Sequence, residues 1–364
     1  MKKNLLALIA ISLLASIPVF AMGRGGVDGM PAVPANRGSV PQAPGTSAAC
    51  GSLPQAPEVS AACGSVPQAS AVQAAAGPGA CLASAEMLVV PSQWLGCNDT
   101  VYVFSPSGRE TEKALPSLLL LHGWSGCSRD WAEHTDIQAL AGKTGWRIIC
   151  PDGFFDSWYI DKAGQLPEDG LESTSPAPGS LSTGANGMQW RKFFWQDLWP
   201  LLDEKYSLQP DRTFITGLSM GGHGAMNIFL DHPERFRGAG SMSGVLDLKY
   251  SGGSADRIPQ MLGAENINEA VCREQCAVER LGRVGEICGK AGSAEKILVI
   301  TCGYEDVRFA QAAREFDARC TELGLNHILM LSRAKHRWGY WTWVLPYHMD
   351  WFAQTLAGGS LGSE

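Results

Sequence analysis

The sequence predicts a single α/β domain built on a mostly parallel central sheet with helices on both faces. Three observations carry that prediction. From about residue 86 onward, short runs of β-branched and large apolar residues alternate with stretches of helical periodicity, the rhythm of strands joined by helical crossovers. Several strand-like runs are continuously apolar, Leu118–Leu121 most plainly, as strands buried on both faces are. The run Thr213–Thr216 leads through Gly217-Leu218-Ser219-Met220-Gly221 straight into an apolar helical stretch, so a strand, a tight turn and a helix follow one another there.

Taken in order, residues 1–21 read as a secretory signal peptide. Lys2 and Lys3 form a basic start, Leu5 to Phe20 an apolar run shorter than a membrane span of ~20 residues, and Val19 and Ala21 set small residues before a cut after Ala21. The expected mature protein is therefore secreted, periplasmic or held at the cell surface, with no stable membrane span. Loss of two lysines moves the formal charge from −7 to −9. A moderately acidic chain of this kind excludes nucleic acid and anionic membrane surfaces as electrostatic partners.

Residues 22–85 collapse to Ala, Pro, Gly, Ser and Gln, and three 13-residue units repeat in register from Ser39, Ser52 and Ser65. Units so poor in large apolar side chains do not bury enough surface to offset backbone entropy, which predicts a flexible linker. Cys50 and Cys63 occupy equivalent places in two repeats, and a sharper reading makes them a cross-link to a surface component.

The folded unit is expected over 86–357, with 358–364 as a flexible tail. Strand-like runs fall at Met87–Val90, Val101–Phe104, Ser117–Leu121, Arg147–Cys150, Thr213–Thr216, Gly238–Ser243, Ile297–Cys302 and His327–Leu331. Helical periodicity fits Asp130–Ala141, Met188–Tyr206, Gly222–Asp231, Phe309–Leu323 and Tyr340–Leu356. Two stretches break the rhythm, the polar loop Ala163–Gly187 and the charged insertion Ser251–Ser293. Both fall where insertions in such sheets shape a pocket or lid.

All eleven cysteines lie beyond residue 21, an odd number that leaves at least one thiol free or paired between molecules. None has zinc-site spacing, and no metal or cofactor is expected. Cys272 and Cys276 share a helix face but are poorly placed for a mutual bond, so Cys288 is the better partner for one of them.

The chemistry centres on Ser219. Glycines two residues before and after it leave no Cβ atoms to clash in a sharp turn, and the following helix aims its N–H groups and positive dipole end at the same spot. A serine nucleophile needs a base, an acid to orient it and donors for an oxyanion. After Ser219, Gly303-Tyr304-Glu305-Asp306 places two carboxylates just past a buried strand, and both are open as the acid. His336, five residues beyond Leu331, is the candidate base. His348 inside the final helix, His327 at a strand start, His223 on the nucleophile helix, and His134 and His232 on surfaces read as packing or surface residues. The loop after Leu118–Leu121, His122-Gly123-Trp124, supplies a second oxyanion donor: the Trp124 N–H would join that of Met220.

Five segments in order, LLLLHGWSGCSRDW, PDGFFDSWYID, TFITGLSMGGHGAM, CGYED and KHRWGYW, resemble the esterase D branch of the α/β-hydrolases. Small bacterial tributyrin-type esterases are most similar, with S-formylglutathione hydrolases, feruloyl and acetylxylan esterases and mycolyltransferases as relatives. The resemblance covers about Ser92 to Phe352 and implies an α/β-hydrolase fold, Ser219 as nucleophile, Asp306 rather than Glu305 as acid, His336 as base, and Trp124 and Met220 as oxyanion donors. It also sets Trp158 near the acyl pocket; Trp338 is a further candidate for touching substrate, and His122 either braces its loop or touches substrate. Where many relatives read G-x-H-D-W, this chain has Ala334-Lys335-His336-Arg337-Trp338, a more basic loop.

The expected function is an exported serine carboxylesterase acting on short acyl esters, small or carried on polysaccharide, with acetyl and aryl esters the most natural. Acyl transfer to a sugar or lipid hydroxyl, S-formylglutathione-type thioester hydrolysis, and a glycan- or surface-binding protein that has kept the fold and lost turnover are the alternatives.

Overall fold

The computed structural model describes residues 78–165, 187–288 and 296–356, without the side chains of residues 78–80, 287 and 288. The signal peptide, the repeats with Cys50 and Cys63, most of the Ala163–Gly187 loop and the tail lie outside the described residues, as does the side chain of Cys288.

Eight strands form one sheet in the order β1-β2-β4-β3-β5-β6-β7-β8. They are β1 Glu86–Ser92, β2 Cys97–Phe104, β3 Ser117–Leu121, β4 Arg147–Cys150, β5 Thr213–Gly217, β6 Gly238–Met242, β7 Ile297–Gly303 and β8 His327–Ser332. All eight predicted strands are present, within a few residues of their expected bounds. β2 runs antiparallel to β1 and β4, and every other pairing is parallel. Strand alternation sorts the core: Leu119, Leu121, Ile215 and Ile300 face one apolar cluster, while Leu118, Leu120, Phe214 and Val299 face the other.

The helices are α1 Pro78–Ala83, α2 Asp130–His134, α3 Ile137–Thr144, α4 Trp190–Phe193, α5 Trp199–Tyr206, α6 Met220–Asp231, α7 Ile258–Met261, α8 Glu269–Gln275, α9 Ala277–Arg280, α10 Gly282–Cys288, α11 Val307–Glu322 and α12 Trp338–Leu356. Four readings shift. Residues 78–83, assigned to the linker, form α1, and Cys81 on it is buried in the second cluster. The expected helix Asp130–Ala141 is broken at Thr135, which is extended, and restarts where the Asp136 side chain accepts the Ala139 N–H. Between α4 and α5 the chain makes a π-helical turn, Phe194–Leu198, just before Pro200, whose missing N–H interrupts the regular ladder. Helix α6 begins at Met220, not Gly222, which brings its first turn directly behind Ser219.

The loops leaving β3, β5, β7 and β8 all emerge at the carboxyl edge of parallel strands. That edge is where such sheets open a crevice, and it gathers residues from opposite ends of the domain's sequence.

Candidate active site

Ser219 sits at the junction of β5 and α6 with φ 52° and ψ −115°, a conformation that favours glycine, held here by the packing around it. The flanking glycines are required by proximity. A Cβ on Gly217 would lie 2.5 Å from the backbone of Gly221, and one on Gly221 would lie 2.4 Å from the His122 carbonyl oxygen. Strand, turn and helix thus press together until only hydrogen fits, and the Ser219 side chain is pushed outward at their apex.

His336 arrives from the loop after β8. Its Nε2 lies 2.8 Å from Ser219 Oγ and its Nδ1 2.6 Å from Asp306 Oδ2. Asp306 precedes α11, and its side chain is mostly shielded from solvent, whereas the neighbouring Glu305 accepts a hydrogen bond from Arg333 Nε at 3.0 Å. Of the two carboxylates the sequence left open, Asp306 is therefore the one that meets the imidazole. The ring is held from two further sides: Phe309 stacks on it at 4.7 Å, and Trp341 meets it edge-on at 4.9 Å. Neither aromatic was singled out from the sequence. Phe309 lies three residues past Asp306, a helical spacing that could have drawn attention to it.

The Met220 N–H opens α6, and the Trp124 N–H lies in the loop after β3. Neither donates to a backbone carbonyl among the described residues, and Trp124 lines the pocket beside Ser219. Of the two roles open to His122, bracing its loop or touching substrate, its contacts are those of a brace. It is buried and absent from the pocket wall; its Nδ1 bonds the Gly123 carbonyl at 2.8 Å, and its Nε2 accepts the Gly153 N–H at 2.7 Å. With Tyr159 Oη donating to the His122 carbonyl, the ring braces the Gly123–Trp124 loop instead of contacting a ligand.

The pocket over Ser219 has a volume of about 290 Å³ and is walled by Trp124, Trp158, Phe309, Trp338 and Trp341. Trp158 and Trp338 are both in its wall. Trp158 packs edge-on against His223, while Trp338 stacks on His134 at 3.9 Å, so His134 supports the wall and is more than a surface residue. Gly252, Gly253 and Ser254 from the charged insertion close one side, in agreement with its expected part in shaping a pocket, and Asp130 is the carboxylate in the wall.

The remaining polar groups do structural work. Burial drives the pKa of His223 down to about 4 and that of His348 to about 3. His348 is held between Thr216 and Thr301 under the sheet. Burial and the Asp130 charge push the thiol of Cys127, in the loop after β3, up to about 11. Among the described residues Cys272 and Cys276 are free thiols, no cluster of His, Cys, Asp or Glu is arranged to hold a metal ion, and no helix is long and apolar enough to cross a membrane.

The sequence profile of the family described as Putative esterase matches residues 92–351. Among curated proteins, the diacylglycerol acyltransferase/mycolyltransferase Ag85A of Mycobacterium leprae is 30% identical over 172 residues. That match spans 44% of this chain and 44% of the relative, less than half of either. An acetyl esterase of Caldicellulosiruptor saccharolyticus is 22% identical over 276 residues, covering 72% of this chain and 96% of that protein. Among solved structures, the fluorophosphonate-binding serine hydrolase FphF of Staphylococcus aureus superposes with a TM-score of 0.59 at 19% identity, covering 74% of this chain and 97% of that one. A ferulic acid esterase gives 0.55 at 19% identity, covering 74% and 98%. At such identities the structural likeness establishes the shared fold.

Proposed function

Because the chain belongs to the Putative esterase family, carboxylic ester hydrolases of the α/β-hydrolase fold, we propose that it is an exported serine esterase using Ser219, His336 and Asp306 on short-chain acyl esters. One observation carries the reading: the unbroken relay of 2.8 Å and 2.6 Å hydrogen bonds from Ser219 Oγ through His336 to Asp306, ending on a serine at a strained strand-to-helix turn.

His336 Nε2 takes the Ser219 proton as Oγ attacks the ester carbonyl carbon. Asp306 keeps the other ring proton on Nδ1 and stabilises the imidazolium that forms. The tetrahedral oxyanion is received by the Trp124 and Met220 N–H groups, each such donor contributing about 10²–10³ in rate. Collapse breaks the bond to the alcohol oxygen, which receives the proton from His336, and leaves an acyl-serine. Water, deprotonated by the same imidazole, then attacks the acyl carbon and releases the acid and Ser219.

A pocket of about 290 Å³ lies at the small end of ligand sites, which supports a short acyl group. Its aromatic walls suit an acetyl or aryl ester. The test is fluorophosphonate labelling with a p-nitrophenyl acetate-to-octanoate series on the mature protein beside Ser219→Ala. Labelling and turnover that disappear in the variant, with rates falling as the chain lengthens, are expected. Folded protein that neither labels nor turns over any ester overturns the proposal. N-terminal sequencing of exported protein tests the cut after Ala21.

Acyl transfer is the second reading, supported by the similarity to the Mycobacterium leprae acyltransferase. It shares the acyl-serine and differs in the acceptor, so a sugar or glycerol ester formed when those alcohols are added would favour it over hydrolysis.

A further inference from the structure

The loop that carries His336 is strongly cationic in an otherwise acidic protein. Arg333, Lys335 and Arg337 fall within five residues, all exposed, against a formal charge of −7 for the whole chain. Arg333 Nε donates to Glu305, while the side chains of Lys335 and Arg337 have no hydrogen-bond or ion-pair partner among the described residues; the Arg337 carbonyl accepts the Tyr340 N–H at 3.0 Å. Beside the loop lies a second concavity of about 420 Å³, bounded by Ser332, Arg333, Arg337, Gly339, Tyr340 and Trp343. Successive residues of the loop line different cavities: His336 and Trp338 the pocket over Ser219, Arg337 and Gly339 the neighbouring groove. The aromatic surface continues along α12, where Trp343 is 47% exposed and Tyr347 is 40% exposed, their ring centroids 5.3 Å apart.

Mechanism decides which part of a substrate meets this groove. The imidazole of His336 must hand its proton to the departing alcohol oxygen, so the alcohol leaves on the side of the His336 loop. Groups attached to that alcohol then emerge beside the loop that carries Arg337. We propose that this groove binds the alcohol portion of the substrate and that the alcohol is an anionic, uronate-bearing oligosaccharide. The inference rests on the esterase reading and adds the substrate class. Planar guanidinium groups match carboxylates in a two-pronged geometry, and the exposed Trp343 ring offers an apolar plate for a sugar's C–H face. An anionic bilayer fits less well. An interfacial surface exposes a broad apolar face with basic residues, whereas on α12 the exposed run of Trp343, Pro346 and Tyr347 gives way to the acidic Asp350 and the polar Gln354.

The experiment compares O-acetylated oligogalacturonate with the same oligomer after its carboxylates are reduced to alcohols, at low and at raised salt. The wild-type protein should prefer the acidic oligomer by about tenfold in kcat/KM, as two exposed charge pairs would give. Salt should erode the preference, R333Q/R337Q should abolish it, and R337E should reverse it. Folding of each variant is checked by its thermal transition. Equal kcat/KM for the two oligomers, or a preference insensitive to R337E, overturns the inference. So does binding to phosphatidylglycerol vesicles without any preference between oligomers, which would assign the groove to lipid. Turnover of p-nitrophenyl acetate by the wild type separates the two levels: its absence sinks the esterase reading, and its presence without acidic preference sinks this inference alone.

Discussion

Replacing Gly221 with alanine should injure catalysis and stability together, and the reason is geometric. The added Cβ would lie 2.4 Å from the His122 carbonyl oxygen and 2.5 Å from that of Leu121. Relief to ordinary contact requires the end of β3 and the start of α6 to separate by about 1 Å. Both atoms belong to backbone, so no flexible side chain can yield instead. Overpacking of this kind costs about 1–3 kcal/mol, a fall of roughly 3–10 °C in Tm for a domain of this size. The same separation moves the Trp124 N–H away from Ser219 and Met220, and an error of about 1 Å in such a site lowers kcat by about 10². Gly142→Ala is the control: Gly142 lies in α3 where a Cβ meets nothing within 4 Å, so the change should stabilise by up to ~1 kcal/mol. Thermal melts and p-nitrophenyl acetate kinetics on both variants decide the matter. Wild-type kcat in Gly221→Ala, or equal damage from Gly142→Ala, would refute the argument.

Asp306→Asn should lower kcat by about 10³–10⁴ through loss of the correct imidazole tautomer, whereas Glu305→Gln, which disturbs only the exposed Arg333 pair, should change it less than about threefold. Steady-state kinetics of the two variants separate these roles. His122→Ala strands the buried Gly153 N–H and unlocks the Gly123 loop. Its unfolding free energy in urea should fall by about 1–3 kcal/mol for the lost bond alone, with kcat falling as well; an unchanged kcat would show that the brace does not position the oxyanion donors. Stability should also fall below about pH 6.5 as the unfolded chain takes up protons that His223 and His348 refuse, their folded values being depressed to about 4 and about 3. The loss approaches about 1.4 kcal/mol per pH unit for each histidine between the unfolded and folded values. Denaturation midpoints across that window should slope less steeply in His348→Gln than in the wild type.

The elements built from local signals were legible in the sequence. Alternating apolar strands and periodic helices announce a covered parallel sheet, because burial on two faces leaves no polar positions in Leu118–Leu121. The glycines around Ser219 announce a turn too tight for any Cβ, and the order of serine, carboxylate and histidine follows from the strand ends that carry them. Other features exist only across space. Nothing local distinguishes Glu305 from Asp306; the fold does, by turning one toward Arg333 and the other toward His336. Sequence leaves His122 open as a brace or a substrate contact, and only its place in the fold, with Nε2 accepting the Gly153 N–H, selects the brace. Phe309 and Trp341 acquire meaning only when α11 and α12 bring them against one imidazole. The break at Thr135 likewise went unseen, since periodicity continues across it while the Asp136 cap restarts the helix. Sequence therefore determined the scaffold and the candidate reactive groups, because those are set by neighbours along the chain. Tertiary structure alone decided which groups touch, because contact between residues as far apart in sequence as Ser219 and His336 depends on sheet order and helix packing.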